Sequence, residues 1–242
     1  MSRYLMTQSL LNSWLYQFSD FEKYVHDSSE KTAEDYQQSA FEEFLSTLRR
    51  ERREPSAAMQ KGIDFEELVI RICHGKPFMH EVPDGKVLAS TDALNGEHTY
   101  RIEYDNPQWA KWHMAAKEVA NDVKGGQFQV VAQKKVNISG IDFLLYGRLD
   151  CLQAGVVKDI KFTGKYEVGK FYNNPQHPMY MELVPEASRF DYLASNGSRV
   201  WRESYRRDEC RPIKDIIQEF VSYLRSNGLI SLYQEHWKTK GG

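Results

Sequence analysis

Residues 147–161 read GRLDCLQAGVVKDIK. Two apolar runs meet there at Ala154-Gly155, a turn signal, so the chain is expected to reverse between neighbouring strands. Strand side chains alternate faces, so Asp159 and Lys161 project from one side while Ile160 points into a core. Asp150 stands near the end of the preceding run. If that run is the hairpin neighbour, Asp150 can lie beside Asp159, and two carboxylates that close repel unless a cation sits between them. Oxygen ligands of this kind suit magnesium or manganese.

Upstream, FQVVAQKKVNI ends at Ser139-Gly140 before DFLLYGRLDCLQ, which makes three consecutive β-like runs and predicts an antiparallel meander. Downstream, a helix is expected over Gln176 to Leu183, then a hairpin through Asn196-Gly197 between FDYLAS and RVWRESY, then a closing helix from Pro212 to about Trp237. The first half reads mainly as helix. Leu5 to Val25 is apolar and aromatic with irregular helical spacing, and Thr32-Ala-Glu-Asp35 is a capping signal opening a segment through Arg50. A third helix spans Ala57 to Cys73, with Met59, Ile63, Val69 and Ile72 as its apolar members; a fourth runs from Gln108 to Val123 before Gly125-Gly126. The pattern predicts one mixed α/β layered domain in which helices precede the sheet, with an N-terminal helical part over about 1–56 and a core over about 57–242.

With 242 residues, 41% hydrophobic and 13% aromatic, the chain can bury one sizeable core. No run approaches the roughly 20 apolar residues of a membrane span. The opening MSRYLMTQSLLNSWLYQF lacks the parts of a signal peptide, so a soluble cytoplasmic protein with no membrane partner is expected. Cys73, Cys151 and Cys210 lie far apart without C-x-x-C spacing, which argues against a disulfide framework or a zinc site and for buried reduced thiols. A formal net charge of −2 counts against a passive nucleic-acid binder. A metal-dependent nuclease escapes that objection, because its carboxylates lower the charge and bound divalent ions restore positive potential where phosphate must sit.

Paired carboxylates beside a lysine suit phosphodiester cleavage, in which a metal activates the phosphate and an ammonium stabilises the growing negative charge. Taken alone, Asp159-x-Lys161 is better read as a surface ion pair worth at most about 1 kcal/mol. Its surroundings are more specific. GRLD, a short turn, an apolar strand ending in DIK, and Gln176-His-Pro-Met-Tyr180 on a helix together resemble the PD-(D/E)XK nuclease superfamily, most closely its RecB-like and phage exonuclease branches, which share a Q-x-x-x-Y helix. The resemblance covers about Gln127 to Leu183. It implies a restriction-endonuclease-like core, a mixed and partly antiparallel sheet flanked by helices, here with an N-terminal helical elaboration. Family members also carry an acidic residue or histidine on a helix before the sheet, often four residues after a glycine. Gly62-Ile-Asp-Phe-Glu66 has that spacing, with Glu67 and Asp64 as close alternatives. The resemblance thus implies a Mg²⁺ or Mn²⁺ site made by Glu66, Asp150, Asp159 and the carbonyl of Ile160, with Lys161 as the catalytic cation.

Gln176 and Tyr180, four apart, would share a helix face and could reach the site edge or the DNA backbone. Pro175 and Pro178 complicate this, since a helix starting near Pro178 would leave Gln176 in the entry loop. Arg148, Lys158, Lys165 and Lys170 could meet phosphates or form a solvated rim. His177 reads as a packed or capping histidine, the Arg49, Arg50, Arg52 and Arg53 run as a solvated helix end, and Trp109, Trp112, Phe171 and Tyr172 mainly as core. The function expected is a divalent-metal-dependent DNA exonuclease of the kind used in phage and prophage recombination. DNA is the partner, a single-strand annealing or recombination protein a candidate companion, and a homo-oligomer is compatible with the resemblance. The cysteines are too few for the iron–sulfur cluster of some RecB-like relatives, and no G-x-x-x-x-G-K-[ST] loop marks a motor. Two alternatives stand: a site-specific endonuclease of the same fold, and a nucleic-acid-binding or assembly protein without catalysis.

Overall fold

Three strands in the middle of the chain anchor the architecture. In the computed structural model, which describes residues 2–25, 31–76, 79–83 and 100–239, β4 (Gln127–Ile138), β5 (Ile141–Gln153) and β6 (Val156–Phe162) form the expected antiparallel meander. Its turns place Gly140 and Gly155 at φ 78° and 74°, a conformation open to a residue without Cβ. Beyond β6, β7 (Arg189–Ser195) joins in parallel and β8 (Val200–Arg206) folds back through the Asn196-Gly197 turn. Beyond β5, β1 (Arg3–Thr7) adds in parallel, which completes a six-stranded mixed sheet.

β5 therefore has three neighbours on two edges. β4 runs along one edge, so β1 and β6 must share the other. β1 pairs only as far as Tyr146, and β6 begins only at Cys151. Gly147 to Asp150, the GRLD segment, lies in the gap between them.

β1 corrects the expectation of a helix over Leu5 to Val25. The segment finds an open edge at Asp142–Tyr146, and the helix α1 (Gln8–Tyr16) starts only where the Thr7 hydroxyl accepts the Leu10 N–H. The helices therefore do not simply precede the sheet. α2 (Ala33–Leu48) opens on the expected capping box of Thr32 and Asp35. α3 (Ala57–Cys73) and α4 (Trp109–Val123) keep their expected bounds to within a residue, and between them lies an unanticipated antiparallel pair, β2 (Met79–Pro83) with β3 (Tyr100–Tyr104). The closing helix is in fact two, α6 (Ile213–Ser226) and α7 (Ile230–His236), because Gly228 takes a left-handed φ of 68° and stops the first.

The sheet separates two cores. On one side α1, α2, α5 (Gln176–Leu183), α6 and α7 bury Leu10, Phe44, Met179, Phe220 and Tyr233 against Phe143, Val157 and Phe190. On the other, α3 and α4 bury Phe65, Leu68, Trp112 and Val119 against Cys151, Ile160 and Leu193. Helices on both faces of a mixed sheet make a layered α/β fold consistent with a restriction-endonuclease-like core. In α3 the buried face is Phe65, Leu68 and Val69, whereas the expected apolar members Met59 and Ile63 are exposed. Among the described residues no helix is long and apolar enough to cross a membrane. The three cysteines are free, but only Cys151 is fully buried.

Candidate functional site

β6 alternates as its sequence requires. Ile160 packs among the side chains of α3 and α4, while Asp159 and Lys161 turn to the face covered by α5. Lys161 Nζ sits 2.8 Å from Asp159 Oδ2. This is no surface ion pair, because Asp159 is 1% exposed. Gln176, the first residue of α5, donates its side-chain amide to Asp159 Oδ1, which leaves Oδ2 to the Lys161 ammonium. Asp150 Oδ2 accepts the Ile160 backbone N–H at 2.9 Å. A side-chain carboxylate thus satisfies β6 just where its backbone ladder to β5 has ended.

Asp150 reaches that position because two strands change faces. Leu149 belongs to the core under α5, and Cys151, two residues on, belongs to the core under α3 and α4. A regular strand would put both on one side. The partner strand switches at the same step, with Val130 packed on the first core and Phe128 on the second. Gln129 stands opposite Asp150 without a register pair, at φ 54°. The register is the same on both sides of this step, so no residue is inserted; the ladder is broken at one opposed pair by the left-handed residue.

Glu66, from α3, accepts a hydrogen bond from the Gln129 amide. Burial, then the charge of Asp159, push its carboxyl above the usual range, against the pull of Arg148 and Lys161. Burial, then Asp159 and Glu66, hold the Asp150 carboxyl well above its ordinary value. Burial alone would lower Lys161, but Asp159, Asp150 and Glu66 together outweigh it and raise its pKa, so the side chain stays a cation. Three carboxylates therefore share one field with one ammonium. Glu67 is elsewhere, 2.8 Å from Arg71, and Asp64 accepts from Gln60 and Asn106.

The remaining candidates divide. Gln176 is not left in a loop: α5 begins at it, and Pro178 fits within the first turn. Tyr180 is buried, and its hydroxyl donates to the Arg148 carbonyl at 3.0 Å, so it braces the GRLD segment from within. The Arg148 side chain is exposed and lies close enough to Glu66 to lower its pKa. Lys158 does not join the site. It projects to the opposite face and donates to the Asp122 carbonyl and Gln153. Lys165 pairs with Glu167, and Lys170 donates to the Lys165 carbonyl and Thr163 in the loop after β6. His177 is buried, stacked on Tyr205 with ring centroids 4.2 Å apart and 3.1 Å from the Tyr192 hydroxyl. Burial lowers its pKa to about 4. Arg49 and Arg53 pair with Glu51 and Glu43 at a solvated helix end. Trp109, Trp112 and Phe171 are core, and Tyr172 is exposed. Gln129 escaped the sequence reading, since a glutamine in a β-like run carries no sign of a left-handed backbone.

A divalent cation would need several of these oxygens at once. Among the described residues, no three His, Cys, Asp or Glu side chains already stand in a metal-holding arrangement. The Asp159 oxygens face Gln176 and Lys161, and one Asp150 oxygen faces Ile160. Yet all the ligand atoms are oxygens, and three carboxylates share the site with one ammonium. That chemistry fits a hard cation such as Mg²⁺ or Mn²⁺.

No family model matches the sequence, and a search of curated proteins finds no match. Among solved structures, the chain is similar to SSO0001 at 16% identity and a TM-score of 0.37, over 47% of this chain and 57% of that one. It thus spans little more than half the length of that relative. It is similar to LHK-Exo in complex with dAMP at 14% identity and a TM-score of 0.41, over 95% and 92% of the two chains. To Rai1 of Scheffersomyces stipitis the values are 10% and 0.32, over 93% and 61%. Likenesses this distant carry no argument about activity, which rests on the site itself.

Proposed function

We propose that this chain is a divalent-metal-dependent nuclease acting on DNA, and that it digests from ends, as an exonuclease of phage or prophage recombination would. One observation carries the reading: Glu66, Asp150 and Asp159, from three different elements, converge on Lys161 at a point where β5 and β6 give up their backbone pairing. Glu66, Asp150, Asp159 and the Ile160 carbonyl would hold Mg²⁺ or Mn²⁺, which supplies Lewis-acid activation of the scissile phosphate. Lys161, kept protonated by its acidic neighbours, donates to the phosphate oxygen on which charge grows. Gln176 holds Asp159 by one oxygen, and Tyr180 fixes the backbone that carries Arg148 and Asp150. Arg148 is exposed and can meet a neighbouring phosphate. A single-strand annealing or recombination protein would be a fitting companion for such an enzyme.

The test is digestion of end-labelled linear duplex and covalently closed circular DNA, with Mg²⁺, Mn²⁺ or EDTA, by wild type and Lys161→Ala. Metal-dependent loss of the linear DNA, reduced about 100- to 1000-fold in the variant, is expected. Cleavage of the circle would instead favour an endonuclease. Cleavage of neither would overturn the enzymatic reading in favour of binding or assembly.

A further inference from the structure

We propose that Gln129 is a positioning residue of this site, acting through its backbone on Asp150 and through its side chain on Glu66. The proposal rests on the nuclease reading above and adds to it a residue that touches neither the phosphate nor the metal.

Gln129 is one of four described non-glycine residues with positive φ, and it lies within a strand, as the third residue of β4. The other three, Arg50, Ser139 and Ala154, sit at a helix end or in tight turns, where a left-handed residue is ordinary. In a strand interior the conformation is costly for a residue with Cβ, so the surroundings must enforce it. Three consequences meet there. The register of β4 with β5 skips the Gln129–Asp150 pair. Both strands change faces at that step, so that Phe128 and Cys151 lie on one core and Val130 and Leu149 on the other. Alternation continued unbroken from Leu149 would turn Asp150 to the α3 and α4 face, away from Asp159, whereas alternation counted from Cys151, which pairs with Lys158, turns it to the Asp159 face. Finally, the side-chain amide of this left-handed residue donates to Glu66, a carboxylate from a different layer. One residue therefore ties the helix-borne acid to the strand-borne pair.

The two roles separate by substitution. Gln129→Gly keeps the left-handed backbone without strain and deletes the amide. Gln129→Val opposes the left-handed backbone itself. The full-length variants are titrated with Mn²⁺, followed by the electron paramagnetic resonance signal of the free ion, and melted without metal. Gln129→Gly is expected to melt at or above the wild-type temperature while binding Mn²⁺ about tenfold more weakly, the usual loss when a residue supporting a ligand is removed. In a Glu66→Gln background the same change should add no further loss, because its effect passes through Glu66. Gln129→Val should lose both thermal stability and Mn²⁺ binding. Wild-type affinity in Gln129→Gly, or additive losses with Glu66→Gln, would overturn the role of Gln129 alone. A wild-type chain that neither binds Mn²⁺ nor cleaves DNA would overturn the nuclease reading and this role with it.

Discussion

Gly147→Ala should destabilise this protein although alanine suits a strand better than glycine. A methyl group there would stand 2.4 Å from Tyr180 Cε1 and 2.9 Å from Leu183 Cδ1, closer than carbon atoms approach. Tyr180 has little room to yield. It is 4% exposed, its ring lies 6.0 Å from that of Phe190, and its hydroxyl is tied to the Arg148 carbonyl. Gly147 does not have a positive φ, so alanine should recover about 0.5–1 kcal/mol of chain entropy. Overpacking at a rigid contact costs about 1–3 kcal/mol. A 2.4 Å approach to a ring that cannot move belongs in the upper part of that range, about 2–3 kcal/mol, so the net loss of about 1–2 kcal/mol should lower Tm by roughly 2–8 °C for a chain of this size. Gly62→Ala is the matched control, since a Cβ there meets nothing within 4 Å in the interior of α3, and it should stabilise by about 0.5–1 kcal/mol. Both are read by thermal denaturation followed by circular dichroism. A Gly147→Ala protein that melts at or above wild type would refute the claim that Tyr180 requires a glycine there. Tyr180 shares α5 with Gln176, so the displacement should also reduce cleavage.

Two further variants test the electrostatics through pH. The Asp150 carboxyl is raised above 3.8 by burial, Asp159 and Glu66, so above pH 3.8 the folded state holds its proton more tightly than the unfolded chain. Metal-free stability should therefore fall as pH rises through that window, and the penalty is complete above the folded pKa. Asp150→Asn, which can still accept the Ile160 N–H, should melt higher than wild type in EDTA at neutral pH and lose that advantage below pH 3.8; equal melting at both would count against the coupling. His177 has the opposite sign, because its folded pKa is depressed from 6.5 to about 4. The unfolded chain binds the extra proton between those values, so stability is full above pH 6.5 and falls by at most about 3 kcal/mol as pH drops to about 4. His177→Phe keeps the stacked ring on Tyr205 and should flatten this acid branch in urea melts, whereas an unchanged branch would place its origin elsewhere.

What could be read from the residues was local. Alternation and turn glycines disclose the meander, the Thr32–Asp35 capping box discloses α2, and the spacing of Asp159 and Lys161 discloses a shared face. Alternation also removes Lys158 from the site, since it immediately precedes Asp159 and must face the other way. What could not be read depended on partners distant in sequence. Arg3–Thr7 becomes a strand because β5 offers an edge more than a hundred residues later. Met59 and Ile63 are apolar at helical spacing, yet the side of α3 that is buried is set by the sheet. Glu66 and Glu67 are equivalent as letters and separate only when Gln129 meets one and Arg71 the other.

The energetics of the site argue for a role beyond stability. A buried ion pair is at best a weak source of folding free energy, and surplus charge beside it makes the balance worse. Here two carboxylates are added to the Asp159–Lys161 pair, a strand residue is held left-handed, and Asp150 lacks a register partner on either edge. Each feature opposes folding, and rigid neighbours compensate for each: Gln176 and Ile160 supply donors, and Tyr180 clamps the backbone between β1 and β6. An amide at position 150 would relieve the first of these costs and could still accept the Ile160 N–H. Asp150 and Gln129 together, around a lysine that the same carboxylates keep charged, support the proposal of a site for a divalent cation and a phosphate.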